Sequence, residues 1–419
     1  MSAAPATDNL SQFRRLIEAL PENPRVVVSG NGAVPWTLLK ELDARVERYV
    51  LHSLNGPPGL PDREGVTLET AFVGPGVRRS PRLAYVPSRL SLVPRLYHTT
   101  MPPDVVLVHT SAPHIGKVSL GTEVNVMPAA IEAARARGGI VVAQVDSNVP
   151  YVFGDGELEL SRFDAVVEAE DPLGGTHGGP VDTSDPVVAS IAERVSSLIR
   201  NGATLQLGIG AVPDAVLAGL VEHRGLRIWS EMVSDGILEL ERRGCLDDGT
   251  VMTASFLLGS PDLYAWAHRN PRLRLLRSEA VNDPARIALN PAMVSVNTGL
   301  QVDLYGQVNA ARVHGRIHSG FGGQTDFIVG ALHSVGGQAI IALRSWHPKA
   351  DCSTIVPMLE EPATSFQPSA VVTEHGVAGL FGRTQVEQVM NLIEKAAHPD
   401  VRDELVEEAY ALGLLRAAE

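Results

Sequence analysis

The sequence predicts an α/β protein built from two related halves, each an open and largely parallel sheet with helices on it. Short β-branched runs alternate with helix-patterned stretches along the chain, as a parallel sheet with crossover helices requires. The passage "GNGAVPWTLLKEL" from Gly30 returns as "GIGAVPDAVLAGL" from Gly208, and "GGIVVAQV" from Gly138 returns as "GGQAIIAL" from Gly336. Two echoes in the same order point to an internal duplication.

In chain order, "PRVVVSG" reads as a strand that runs through a glycine turn into the helix "PWTLLKELDARV", with Pro35 at its first helical position. "PDVVLVHTS" is a second strand, and "MPAAIEAARARGG" a helix that delivers the strand "IVVAQVDS". Residues 171–186, "DPLGGTHGGPVDTSDP", have the composition of a surface connection, so the expected domains are 1–180 and 187–419. Beyond it, "ATLQLGIG" and "PDAVLAGLVEH" repeat the strand, turn and helix, with Pro213 at the first helical position. In "RIWSEMVSDG" a short apolar run ends at Glu231, and a helix begins around Ser234. "SGFGGQTDF" from Ser319 places three glycines in four positions amid expected strands.

With 44% hydrophobic and 20% charged residues, the 419-residue chain has the composition of an ordered globular protein. Its formal net charge of -13 argues against a nucleic-acid surface, so an anionic ligand would need a local cradle. Two cysteines, Cys245 and Cys352, are too few for a disulfide framework, and a reducing compartment is the simpler reading. With neither a leader-like start nor an apolar stretch of membrane-spanning length, the expected location is the cytoplasm. The histidines are scattered without zinc spacing, so no metal site is expected. No G-x-S-x-G elbow supports a serine hydrolase. A nicotinamide dehydrogenase is disfavoured, because "GIGAVP" lacks the third glycine and the ribose-binding acid.

Three features bear on chemistry, each with two readings. Glycines in G-x-G-A-V-P let the backbone approach an anion at the next helix, but a strand–turn–helix needs glycine for its geometry anyway. The glycines of "SGFGGQTDF" make either a strained turn or a set of amides facing a ligand. Glu231 is either an acid interacting with a helix N-terminus or a nucleophile at the carboxyl end of a strand, where ligands of open α/β sheets gather.

The second half resembles the acetyl-CoA hydrolase/transferase family, the CoA-transferases that include 4-hydroxybutyrate and butyryl-CoA:acetate CoA-transferases. "LGIGAVPDAVLAGL", "SEMVSDGILEL", "VNDPARIALNPAMVSVN", "LQVDLYGQVNA", "SGFGGQTDF", "IVPML", "VVTEHGVAGLFG" and "AHPD" stand in family order, and "FVGPGVRR", "YVPSRLS", "VSLGTEVN" and "NVPYVFGDG" echo it in the first half. The resemblance implies two CoA-transferase-type domains, with Glu231 as the catalytic nucleophile. It also implies CoA contacts at Gly208, Ile209, Gly210, Ala211, Val212, Asn297, Gly322, Gly323 and Lys349. Acyl-CoA and a carboxylic acid are then the substrates, no cofactor is permanently bound, and the molecule is a homo-oligomer, dimer or tetramer.

Three positions depart from the family pattern: Val329 and Gln367 stand where arginines are usual, and His375 where a tyrosine is. The departures predict a weaker hold on small carboxylates and a preference for bulkier acyl groups. They also keep two other readings open, an acyl-CoA hydrolase using the same glutamate and a non-catalytic acyl-CoA-binding protein.

Overall fold

The computed structural model describes residues 9–175, 185–208, 210–363 and 366–416, in two compact units. The first comprises Met1–His177 with Val251–Val281, and the second Gly178–Thr250 with Asn282–Glu419.

The first unit holds a seven-stranded parallel sheet. Its strands run, in spatial order, Ala165–Glu168, Ile140–Asp146, Val105–Ser111, Arg25–Val28, Tyr49–His52, Val66–Thr70 and Leu83–Tyr85. The central strands are apolar on both faces, as a parallel sheet covered by helices demands, and Val26, Val27, Leu107, Val108, Val142 and Ala143 are fully buried. Each of these valine and leucine side chains contributes ~1.5–3 kcal/mol over the exposed state.

The second unit holds a six-stranded sheet in the order Arg227–Ile228, Thr204–Leu207, Met293–Asn297, Gln338–Ala342, Ala370–Thr373 and Gly376–Gly379. All neighbours are parallel except the last pair, a hairpin. Here Leu205, Val296, Ile340, Ile341, Val371 and Val372 form the buried centre.

The duplication is visible in the strand order. Reading outward from Arg25–Val28, the neighbours on one side are Val105–Ser111, Ile140–Asp146 and Ala165–Glu168, with Tyr49–His52 on the other. From Thr204–Leu207 the matching neighbours are Met293–Asn297, Gln338–Ala342 and Ala370–Thr373, with Arg227–Ile228 on the other. Both sequence echoes land on matching strands. The second also matches in backbone, since Gly138 and Gly336 turn from a helix into the strand at φ +75° and +74°, a conformation that favours glycine.

Local details correct three expectations. Neither proline is the first helical residue: Pro35 is the N-cap of helix Trp36–Asp43, and Pro213 is third in helix Ala211–Ala218, whose N-cap is Gly210. "SGFGGQTDF" does not lie amid strands, because "QTDF" opens the ten-residue helix Gln324–His333. Residues 251–281, placed in the second domain by sequence, cluster with the first unit. Strand Met252–Ala254 pairs with Leu273–Leu275, which pairs in turn with Phe153–Gly154 of the first unit. Gly154, at φ +126°, brings its backbone so near the Leu275 carbonyl that a Cβ would collide with it. Of the connection 171–186, residues 176–184 lie outside the described residues, and Asp185 caps helix Pro186–Leu198 by accepting from Val187 N at 2.9 Å. Among the described residues no helix is long and apolar enough to cross a membrane.

Candidate active site

Glu231 lies just past the last pairing of an edge strand. Arg227–Ile228 runs parallel to Thr204–Leu207, Trp229 N donates to Leu205 O at 3.2 Å, and the Ser230 hydroxyl donates to Leu207 O at 3.4 Å. The chain then leaves the sheet at its carboxyl end with Glu231 as the next residue, where open α/β sheets place their ligands. The helix-cap reading fails here, because Ser234 is the N-cap of helix Asp235–Arg242. That helix is docked at Gly236, where a Cβ would meet the Leu217 side chain of helix Ala211–Ala218.

The Glu231 carboxylate is held by two neighbours from elsewhere in the same unit. Nδ2 of Asn282 donates to Oε2 at 3.1 Å. Gly323 presses its backbone against the same oxygen so closely that a Cβ would overlap both Oε2 and Nδ2 of Asn282. Gly323 is also the N-cap of helix Gln324–His333, so the carboxylate sits at the positive end of a helix. Asn282 is placed by the helix start immediately after it: Asp283 accepts from Ala285 N at 2.9 Å to cap helix Pro284–Ala288, whose first residue is a proline. This helix packs on Gln324–His333 at Gly330, where a Cβ would lie 2.5 Å from Ile287 Cβ. Both groups that touch Glu231 therefore belong to one closely packed pair of helices.

Glu231 is half-buried, and its carboxyl is raised from 4.5 to about 7. Burial is the main cause and the Asp326 carboxylate adds to it, while the Asn282 hydrogen bond opposes the shift. Once ionised, a poorly solvated carboxylate is a stronger nucleophile than one on the open surface.

The remaining predicted residues fall into groups. Gly208 and Gly210 have open space where a Cβ would stand, Gly210 is at φ +121°, and Ala211 is exposed while Val212 is buried. Ile209 lies outside the described residues. The first copy of this turn is different: Gly30 through Pro35 are buried, and Gly30 N donates to Oε1 of Glu123 at 3.0 Å. Asn125 supports the same oxygen at 2.9 Å. The chain thus supplies its own carboxylate to the first turn, whereas among the described residues no atom lies within 4 Å of a Cβ position at Gly208 or Gly210.

Asn297 ends strand Met293–Asn297, and its Nδ2 donates to Gln206 Oε1 at 3.1 Å and to Ser295 Oγ at 2.8 Å. Gln206 lies on the strand that enters the second turn, and Gln324 Nε2 donates to Thr298 O at 3.1 Å, so Asn297 is tied to both the turn and the Gly323 helix. Gly322, at φ +54°, precedes Gly323. Lys349 is exposed on the hairpin made by Trp346–His347 and Cys352–Ser353, and shares no hydrogen bond with this group among the described residues.

Of the departures, Val329 is half-buried in helix Gln324–His333, six residues and so ~9 Å beyond Gly323. Gln367 is exposed. The ring of His375 is 5.4 Å from His398, itself 5.1 Å from Trp346 at the base of the Lys349 hairpin. Ser260 of "LLGSPD" is the N-cap of helix Pro261–Ala267. Among the described residues no three His, Cys, Asp or Glu side chains are grouped to hold a metal ion. Sequence reasoning missed Asn282 and Asp326, although both lie inside motifs that carried the resemblance.

Residues 66–173 match the acetyl-CoA hydrolase/transferase N-terminal domain and residues 259–409 its C-terminal domain. The chain is 35% identical over 425 residues to the 4-hydroxybutyrate coenzyme A transferase of Clostridium kluyveri, covering 96% of this chain and 97% of that one. It is 34% identical over 420 residues to the succinyl-CoA:acetate/propanoyl-CoA:succinate CoA transferase of Fasciola hepatica, covering 93% and 85%. The crystal structure of RipA from Yersinia pestis superposes with a TM-score of 0.88 at 28% identity, covering 97% of this chain and all of that one. With the sheet order, the glycine turns and these likenesses along nearly its whole length, the chain belongs to the acetyl-CoA hydrolase/transferase family.

Proposed function

We propose that the protein is a CoA-transferase that moves CoA from an acyl-CoA to a carboxylic acid through a glutamyl-CoA thioester on Glu231. The observation that carries this reading is the Glu231 carboxylate, half-buried at the carboxyl end of a strand and pinned against Gly323 at a helix N-terminus. The named relatives, which are CoA transferases along nearly the whole chain, support it.

The Glu231 carboxylate attacks the thioester carbonyl, forming an acyl-glutamyl anhydride and releasing CoA thiolate. The thiolate attacks the glutamyl carbonyl, so that the first acid leaves and glutamyl-CoA remains. A second carboxylate attacks that thioester, again giving an anhydride and thiolate. The thiolate then takes the new acyl group and frees Glu231. Each tetrahedral state places charge on oxygen, and a well-placed donor is worth ~3 kcal/mol there. Gly208, Ile209, Gly210, Ala211 and Val212, with Asn297, Gly322, Gly323 and Lys349, form the proposed CoA contacts. Water reaching either intermediate turns transfer into hydrolysis, and free CoA formed without an acceptor acid measures that leak.

Acyl-CoA alone is expected to convert a fraction of the enzyme to the glutamyl-CoA thioester. Borohydride reduces thioesters far more readily than carboxylates, and mass spectrometry of the reduced chain should place the change on Glu231. Turnover with no adduct, or an adduct elsewhere, overturns the reading. Replacement of the usual cations by Val329 and Gln367 further predicts higher kcat/KM for longer acyl chains, at up to ~0.8 kcal/mol per buried methylene. A series from acetyl-CoA to hexanoyl-CoA checks this, and a preference for acetyl-CoA refutes it. The proposed setting is the cytoplasm, which the two free thiols favour, and the proposed assembly a homo-oligomer, readable by light scattering.

A further inference from the structure

Glu123 is a second buried carboxyl in this protein, and the glutamyl-CoA cycle has no step for it. Its Oε1 accepts from Gly30 N at 3.0 Å and from Asn125 Nδ2 at 2.9 Å, and the Asn31 side chain gives a third bond. Asn55 Nδ2 holds Asn31 Oδ1 at 2.7 Å, which leaves the Asn31 amide nitrogen for Glu123. The backbone that carries Glu123 is clamped to the segment 251–281: Leu257 N donates to Thr122 O at 2.8 Å, and Val124 N and Asn125 N both donate to Ser255 O. All of these residues belong to the first unit. Three neutral donors that converge on one carboxyl, one of them the backbone N–H of a glycine turn, are the parts of a carboxylate-binding site. The other side of the group is unmatched. Among the described residues Oε2 of Glu123 has no hydrogen-bond partner, nor have the Tyr97 hydroxyl, Nε2 of His52 and the Ser29 hydroxyl, and all four side chains are buried. Burial raises the Tyr97 phenol, the charges of Glu69 and Glu123 add to it, and the ring meets that of His52 edge-on at 5.3 Å. Buried polar groups without protein partners mark a place that suits a polar occupant.

We propose that the turn at Gly30 is a carboxyl-binding site whose occupant is the chain's own Glu123, and that without this side chain it takes a free short-chain carboxylic acid. The inference is independent of the glutamyl-CoA cycle. In the intact protein Glu123 reaches the turn from 93 residues away and shuts external acids out of the first copy of G-x-G-A-V-P. Truncation at Cβ removes a CH2–COO⁻ group, which has the shape and charge of acetate, and leaves Gly30 N, Asn125 Nδ2 and the Asn31 amide as donors. Acetate restores both oxygens in one plane. A halide supplies a single acceptor, and a phosphate carries too much charge for a site out of contact with water. Burial raises the Glu123 carboxyl to about 7, against the pull of its three hydrogen bonds. A free acid in the same place holds its proton more readily than in water, so it binds more tightly at pH 6 than at pH 8.

The test measures thermal unfolding of wild type, Glu123→Ala and Glu123→Gln in sodium acetate and in sodium chloride at equal ionic strength. The readout is the rise in melting temperature of Glu123→Ala beyond that of the other two, so acid bound at the transfer site, common to all three, cancels. Acetate is expected to give the alanine variant an excess of several degrees, whereas Glu123→Gln, whose turn is still filled, should follow wild type. The affinity read from the acetate titration of the alanine variant should fall on the order of tenfold from pH 6 to pH 8. A glutamate that serves only to fill the core would leave a weakened variant that acetate does not restore. An acetate response of Glu123→Ala no larger than that of wild type overturns the proposal, as does an equal response to chloride. If the alanine variant does not fold in chloride, recovery of folded protein in acetate supports the site, and failure in both salts overturns it.

Discussion

Glu231→Gln is expected to abolish transfer, by on the order of 10⁴-fold or more, while leaving the protein more heat-stable above pH 7 than wild type. The loss arises because an amide cannot form the anhydride. The gain comes from the raised carboxyl. In the folded protein Glu231 binds its proton up to about pH 7, whereas its ordinary value is 4.5. The native state therefore holds more protons between these values, and wild-type stability falls as pH rises through that window. The penalty is complete above about 7 and absent below 4.5, and glutamine removes it while still accepting from Asn282. The difference is at most ~3 kcal/mol, a few degrees in melting temperature. Calorimetry of both proteins at pH 4 and pH 8 checks the sign, and a variant less stable than wild type at pH 8 refutes the account. Glu231→Asp withdraws the carboxylate by about one methylene and should cost ~10²-fold in turnover.

Gly323→Ala is the second large effect. The new Cβ would occupy the space now held by Oε2 of Glu231 and Nδ2 of Asn282, so the carboxylate must swing away or the helix must retreat. Displacing a reacting group by ~1 Å costs ~10²-fold in rate, and overpacking a buried site adds ~1–3 kcal/mol of destabilisation. The control is Gly336→Ala, where φ is +74° and no atom lies within 4 Å of the Cβ position. There the cost is backbone strain of ~1 kcal/mol, with turnover unchanged. Equal losses of activity in the two variants would show that contact with Glu231 is not the reason for the glycine at 323.

Much of the site is legible in the sequence. The end of an apolar run followed by a helix start marks Glu231, and the glycine density of "SGFGGQTDF" marks Gly322 and Gly323, because turn chemistry and strand ends are written locally. Asn282 escapes because "NDP" reads as a helix start, and Asp283 does cap one; nothing local tells a cap from a donor to a group 51 residues away. The two copies of G-x-G-A-V-P look alike in sequence. Glu123, 93 residues after Gly30, accepts from the first of them.

By itself the sequence determined the alternation of strands and helices, the duplication and the family, because hydrophobic period, turn residues and motif order are properties of neighbours along the chain. Tertiary structure decided what those neighbours cannot: that residues 251–281 join the first unit through the strand at Phe153–Gly154, and that one oxygen of Glu231 is enclosed by Asn282 and Gly323 while its carboxyl rises to about 7. A carboxylate's solvation and partners depend on which distant backbones close around it, and the packing of the two helices that meet at Gly330 settles that here.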